Sequence, residues 1–295
     1  MAESLVTIRS AALTATINPL GAELSSLGDA EGRALMTDAD PAFWTGRAPL
    51  LFPIVGALRE DRYRMEDDRS FTLPKHGFAR RRAFALVERD DAHVLFRLEP
   101  DAETRAAYPF DFRLDIAFRL NGTTLAMTAT VANGGGEPMP FSFGYHPAFA
   151  WPLPYGSVAD AHRIVFEKDE PAPIRQLDLA TGLVAPEPRP TPVEGRTLSP
   201  THALFEADAL IWDRLESRSL TWGARGLPHL RIDFPDTPWL GLWQKPGARY
   251  LCIEPWAGIA DPLGFSGTIW DKPGIIRLEP GASQSFRMDV TLVQG

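Results

Sequence analysis

Apolar and polar residues alternate with period two wherever the chain shows a legible period. Phe112, Leu114, Ile116, Phe118 and Leu120 alternate with Arg113, Asp115, Ala117 and Arg119, which gives an extended segment one wholly apolar face. After Asn121-Gly122 the pattern resumes, with Leu125, Met127, Ala129 and Val131 set against Ala126, Thr128 and Thr130. The two runs predict a hairpin closed by a tight turn that needs positive φ. Further strands are expected at 12–17, 83–88, 93–98, 163–167, 218–222, 229–234, 239–244, 250–254 and 284–292. In the last of these Phe286, Met288, Val290 and Leu292 alternate with Arg287, Asp289 and Thr291.

No long stretch carries a helical period, and no internal repeat is evident. The 27 prolines and 24 glycines punctuate the runs and are not pooled in one linker, although 185–196 is a Pro-rich loop. Many strands joined by turns, with no interleaved helices, indicate an all-β fold: a large antiparallel β-sandwich, read as one domain over residues 1–295.

Composition narrows the function classes. An apolar fraction of 44% and a charged fraction of 23% are those of an ordinary globular protein. A formal net charge of −8 opposes attraction to nucleic acid or to an anionic membrane surface, so neither is expected as a partner. The N-terminal residues lack a basic segment followed by an apolar one, and no run approaches the ~20 apolar residues of a membrane span. A cytoplasmic protein is expected. The single cysteine, Cys252, cannot form an internal disulfide and sits in the apolar run Tyr250-Leu251-Cys252-Ile253, so it reads as a buried, inert thiol.

Three segments place ionisable groups among apolar and turn-forming residues: Pro74 to Arg80, Pro140 to Phe149, and Leu251 to Trp256. Glu254 at the end of an apolar run pays desolvation unless it is paired or used with a raised pKa. His146 has a simpler reading as a core histidine satisfied by backbone groups. His76 before Gly77 could terminate a strand, and Arg80 to Arg82 could form a solvated basic face. Two His and a Glu, with no nucleophile motif, no glycine-rich phosphate loop and no His/Cys metal spacing, favour proton transfer over covalent, nucleotide-dependent or metal chemistry. Neither a cofactor nor a metal is expected.

At these segments the chain resembles the aldose 1-epimerase (galactose mutarotase-like) family, in particular its bacterial LacX-like branch. The likeness runs nearly end to end: Asn18 to Leu24, Pro49 to Gly56, His76-Gly77-Phe78-Ala79-Arg80, Tyr108-Pro109-Phe110, Pro140 to Phe149, Asp208-Ala209-Leu210 and Ile253-Glu254-Pro255-Trp256. It implies a supersandwich with a shallow sugar cleft, a small-molecule sugar as partner, His146 as general acid and Glu254 as general base. It also carries His76 to a substrate contact and Asp208 to an acid that binds sugar hydroxyls, where a plain turn residue is the alternative. Family members often carry Arg directly after the glycine of the Val-Gly pair. Here that position is Ala57, with Arg59, Arg47 or Arg80 as candidate substitutes. Phe78, Trp151 and Trp256 could stack on a sugar, or simply fill the core.

The implied activity is interconversion of the α and β anomers of a free aldose such as glucose or galactose. The alternatives are a hexose-6-phosphate 1-epimerase, drawing on Arg47, Arg59 and Arg80 for the phosphate, and a non-catalytic carbohydrate-binding protein. A glycosidase built on Asp208 and Glu254 would leave the His146 segment unexplained.

Overall fold

The computed structural model describes residues 4–295. Phe112–Asn121 and Thr124–Asn133 form the expected antiparallel hairpin, with Asn121 opposite Thr124. The turn residues are therefore Gly122 and Thr123, one place later than the Asn121-Gly122 reading. Gly122 has φ +55° and Thr123 is not among the positive-φ residues, as in a turn whose first central position alone is left-handed.

This hairpin lies inside a nine-stranded antiparallel sheet. Its order is Thr197–Leu198, His162–Phe166, Ser219–Ala224, His229–Asp233, Ser283–Val293, Thr124–Asn133, Phe112–Asn121, His93–Leu98 and Ala85–Arg89. A second sheet runs Leu210–Trp212, Trp239–Trp243, Tyr250–Ala257, Phe143–Tyr145 and Leu50–Leu51, with Ala148–Ala150 also paired to Tyr250–Ala257. Val6–Arg9, Leu13–Asn18 and Glu23–Asp29 form a separate three-stranded sheet. Among the described residues there is one α-helix, Ala102–Ala107, capped by Asp101 through the Thr104 N–H. No helix among them is long and apolar enough to cross a membrane.

The two large sheets face each other across one aromatic layer. The Phe143 ring stacks on Phe286 at 5.1 Å, and the Tyr145 hydroxyl donates to the Phe286 carbonyl at 2.9 Å. Phe286 is fully buried, and a side chain of that kind gains roughly 1.5–3 kcal/mol on leaving water. Every residue of Tyr250–Ala257 is buried. Cover on both faces removes the alternation that marks its neighbours, and the strand runs on past the expected end at 254.

Candidate active site

Sheet register brings the two candidate acid–base residues together from distant parts of the chain. Glu254 lies within Tyr250–Ala257, opposite Gly241. His146 follows Phe143–Tyr145, which pairs with the other edge of the same strand. The His146 Nε2 and Glu254 Oε2 atoms are 3.3 Å apart, with side chains 11% and 2% exposed. Glu254 Oε1 and His146 Nδ1 make no hydrogen bond within the protein.

Burial moves the two groups in opposite directions. It pushes the Glu254 carboxyl well above its ordinary range, with the Asp208 charge adding to the rise and Lys75 opposing it. It pulls the His146 imidazole down to about 3, and the charges of Arg80 and Lys75 contribute. With one proton to share, burial favours a neutral carboxyl beside a neutral imidazole. This pair holds the same number of protons as a carboxylate beside an imidazolium, so one internal proton transfer interconverts the two.

His76 is fixed by its own backbone neighbourhood. The Gly56 N–H donates to His76 Nδ1 at 3.1 Å, while the His76 N–H donates to the Gly56 carbonyl at 2.8 Å. Since Nδ1 accepts, a neutral His76 carries its proton on Nε2. Burial, with His146, Lys75 and Arg80 nearby, holds its pKa well below the usual value. His76 has φ +67°, a conformation that costs a non-glycine residue of order 1–3 kcal/mol and recurs at functional sites. Its ring stands edge-on to His146 at 5.9 Å. Arg80, half-buried, donates to the Lys75 carbonyl at 2.9 Å and leaves its Nε without a partner.

These groups line a cavity of about 290 Å³ together with Lys75, Asp208 and three tryptophans. Trp44 and Trp243 flank His146 at 5.1 and 5.9 Å between ring centroids. Trp256 lies across two glycines: a Cβ on Gly144 or on Gly241 would come within 2.6 Å of its ring. Glycine at both positions is what lets the indole lie flat against the sheet beside Glu254. Asp208 stands at φ +69°, and its Oδ1 accepts the N–H of Ala209 at 2.7 Å. The residue thus shapes the turn before Leu210–Trp212 and also lines the cavity.

The remaining candidates lie elsewhere. Arg59 is outside the cavity lining: its guanidinium donates to the Phe265 carbonyl and faces Glu60. The chain turns away there through two residues of positive φ, Glu60 and Asp61. The Arg47 guanidinium is spent on the carbonyls of Ser25, Thr37 and Asp38. Of the basic candidates, Arg80 alone reaches the cavity, joined by Lys75, which sequence reasoning passed over although it sits in the same segment as His76. Phe78 packs in the core on Phe52 and Phe112. Trp151 packs on Trp222 and donates to the Ala159 carbonyl. Trp44 and Trp243 carried no local signal in the sequence.

Among the described residues, one group could offer three metal ligands: His146, Cys252 and Glu254, with ligand atoms within 4.8 Å of one another. Burial drives the Cys252 thiol well above its ordinary pKa, as it does Glu254. Both shifts oppose the deprotonated donors that a metal needs. This set of side chains is better suited to holding protons.

Residues 4–290 match the family model described as aldose 1-epimerase. The chain is 35% identical over 289 residues to the chromosomal LacX protein of Lactococcus lactis subsp. lactis, covering 95% of this chain and 97% of that one. A galactose mutarotase related enzyme from Lactobacillus acidophilus superposes with a TM-score of 0.89 at 28% identity, over 99% of this chain and 98% of the other. A galactose mutarotase-like protein from Lactobacillus casei gives a TM-score of 0.90 at 28% identity, over 98% and 100% of the two chains. With a family model matched along almost its whole length, the chain belongs to the aldose 1-epimerase family.

Proposed function

We propose that the protein is a cofactor-independent mutarotase that interconverts the α and β anomers of a free aldose, with His146 and Glu254 as the working pair. The observation that carries this reading is their side-by-side burial, 3.3 Å apart, in a cavity of sugar size. Glu254, as carboxylate, takes the proton of the anomeric hydroxyl, and His146, as imidazolium, gives one to the ring oxygen. The C1–O5 bond breaks as the C1 carbonyl forms. Rotation about C1–C2 presents the other face of the aldehyde, and the two protons return by the same groups. Nothing is oxidised and no group leaves. Each positioned proton-transfer group contributes about 10²–10⁴ in rate, or roughly 3–5 kcal/mol of barrier.

His76 Nε2–H, Arg80, Lys75 and Asp208 supply donors and an acceptor for the other hydroxyls, and the tryptophans offer apolar faces to the ring. Arg59, considered for substrate contact from the sequence, has no part in this reading. Polarimetry of freshly dissolved α-glucose and α-galactose, with and without the protein, tests it. Faster approach to anomeric equilibrium is expected. A rate equal to buffer for every sugar, alongside sugar binding by calorimetry, would leave a non-catalytic carbohydrate-binding protein.

A further inference from the structure

One loop sets an indole ring against His146. Trp44 inclines 31° to the His146 imidazole with centroids 5.1 Å apart, while Trp243 and His76 meet the imidazole edge-on. His146 Nδ1 is buried and has no hydrogen-bond partner among the described residues. A histidine that moves protons through one nitrogen is commonly oriented by a hydrogen bond at the other. Here packing takes that part, and Trp44 is the ring that covers the imidazole's face.

Trp44 belongs to residues 38–46, which form neither strand nor helix, so its place depends on how the loop is tied. Both feet of the loop rest on Ala148, two residues after His146. The Thr37 N–H donates to the Ala148 carbonyl at 3.0 Å, and the Ala148 N–H donates to the Arg47 carbonyl at 2.8 Å. The Arg47 guanidinium joins the feet from the side, donating to the carbonyls of Ser25 and Thr37 at 3.2 Å each. Glu23 fixes the same foot by accepting the N–H groups of Arg47 and Ala48, both at 2.8 Å. Higher up, the Asp40 carbonyl accepts the N–H groups of Phe43 and Trp44 at 3.0 Å. The indole folds back on Gly46, where a Cβ would collide with it. Arg47 itself is half-buried and stands outside the cavity lining.

Resting on the mutarotase reading, we infer that Arg47 is a positioning residue for the reaction, acting through Trp44 to hold the His146 imidazole in the plane from which it delivers its proton. A guanidinium suits the task, because its planar fork carries several N–H donors and can tie carbonyls of separate segments together. A small movement of the acid is enough to matter, since a misplacement of about 1 Å can cost on the order of 10²-fold in rate. Because Arg47 does not line the cavity, its loss is read in kcat and not in sugar binding.

The test is a double-mutant cycle on kcat with Arg47→Met, Trp44→Leu and the two combined. Rates are taken by polarimetry on the sugar that the wild type turns over fastest, each variant first shown to unfold cooperatively. Each single variant should lower kcat by at least about tenfold, and KM for Arg47→Met should stay within about threefold of wild type. The double variant should fall no further than Trp44→Leu alone, because Arg47 then has nothing left to position. Should a single variant fail to fold, Arg47→Lys or Trp44→Phe takes its place, with smaller losses and the same coupling expected. An unchanged kcat in either folded single variant, a loss confined to KM, or losses that multiply in the double variant overturns the inference and leaves the mutarotase reading standing. Equilibration by the wild type no faster than buffer for every sugar removes both.

Discussion

At the scale of single residues the site turns on two buried groups whose environments push their proton affinities apart. Glu254→Gln keeps size and hydrogen-bonding reach but cannot take the anomeric proton, and His146→Asn cannot deliver one. Each should lower kcat by about 10²–10⁴ with little change in KM. A variant that kept more than about a tenth of wild-type kcat would demote its residue to a structural role. The same shift makes a stability prediction of definite sign. Burial raises the Glu254 carboxyl above its ordinary 4.5, so the native state holds a proton that the unfolded chain releases. The stability this contributes is complete below 4.5 and is lost as pH climbs toward the native value. An amide in its place does not titrate and shows no such loss, so the melting temperature of Glu254→Gln minus that of wild type should grow as pH rises above 4.5. His146, lowered to about 3 from 6.5, has the opposite slope, with stability present above 6.5 and lost as pH falls. Burial, the main cause of its shift, is the same in both proteins, so most of its slope is common to the two. A difference that stayed flat or shrank with pH would show that Glu254 is ionised in the folded protein. His76, Arg80, His146 and Glu254 stood out because each sits in a segment of unusual polarity for its surroundings, whereas Asp208 was pointed to only by the family resemblance; all five line the cavity. Arg59 was misplaced for a local reason: it lies close to Gly56 in sequence, but sequence distance says nothing of direction once the chain turns through Glu60 and Asp61.

At the scale of elements, legibility followed solvent exposure. Strands with one wet face, such as Phe112–Asn121 and Ser283–Val293, alternate and were found within a residue or two. Short strands buried on both faces, Met139–Phe141 and Phe143–Tyr145, carry no alternation and were visible only as an aromatic run. Glu23–Asp29 pairs across a register shift at Thr16/Ile17, which breaks the period that would have marked it. Loop packing around the cavity was invisible for another reason, since it depends on one ion pair between segments. Lys272 donates to Asp261 at 2.8 Å, with side chains 0% and 2% exposed, and Asp261 also accepts the Arg59 N–H at 2.9 Å. The pair ties the 258–263 segment, which includes the cavity residues Ile259 and Ala260, to the chain just past Gly56. Lys272→Met removes one partner and leaves a buried carboxylate uncompensated, which should cost about 3–5 kcal/mol in urea unfolding. Lys272→Met with Asp261→Asn should recover a large part of that loss. Equal stability of wild type and the single variant would mean that the pair is hydrated and contributes little.

At the scale of the whole molecule, charge separates the free aldose from its 6-phosphate. The chain carries a net −8, and Asp208 stands inside the cavity itself, so a dianionic substrate approaches against the overall field. Opposing this are Lys75 and Arg80, the cations that line the cavity among the described residues. Arg47 and Arg59 have other partners, which removes two of the three arginines that favoured a phosphate from sequence. If Lys75 and Arg80 did grip a phosphate, each charge-assisted hydrogen bond would contribute about 1.5–3 kcal/mol. The 6-phosphate would then exceed the free sugar by at least about tenfold in kcat/KM. The expectation is the reverse: kcat/KM for glucose and galactose should equal or exceed that for their 6-phosphates. Values for the free sugars should be indifferent to ionic strength, and those for the phosphates should rise as salt screens the repulsion over a Debye length of about 10 Å at 0.1 M. Measuring all four sugars at two salt concentrations decides between these outcomes. A tenfold preference for the phosphates that weakens with added salt and disappears in Arg80→Ala would make the protein a sugar-phosphate epimerase.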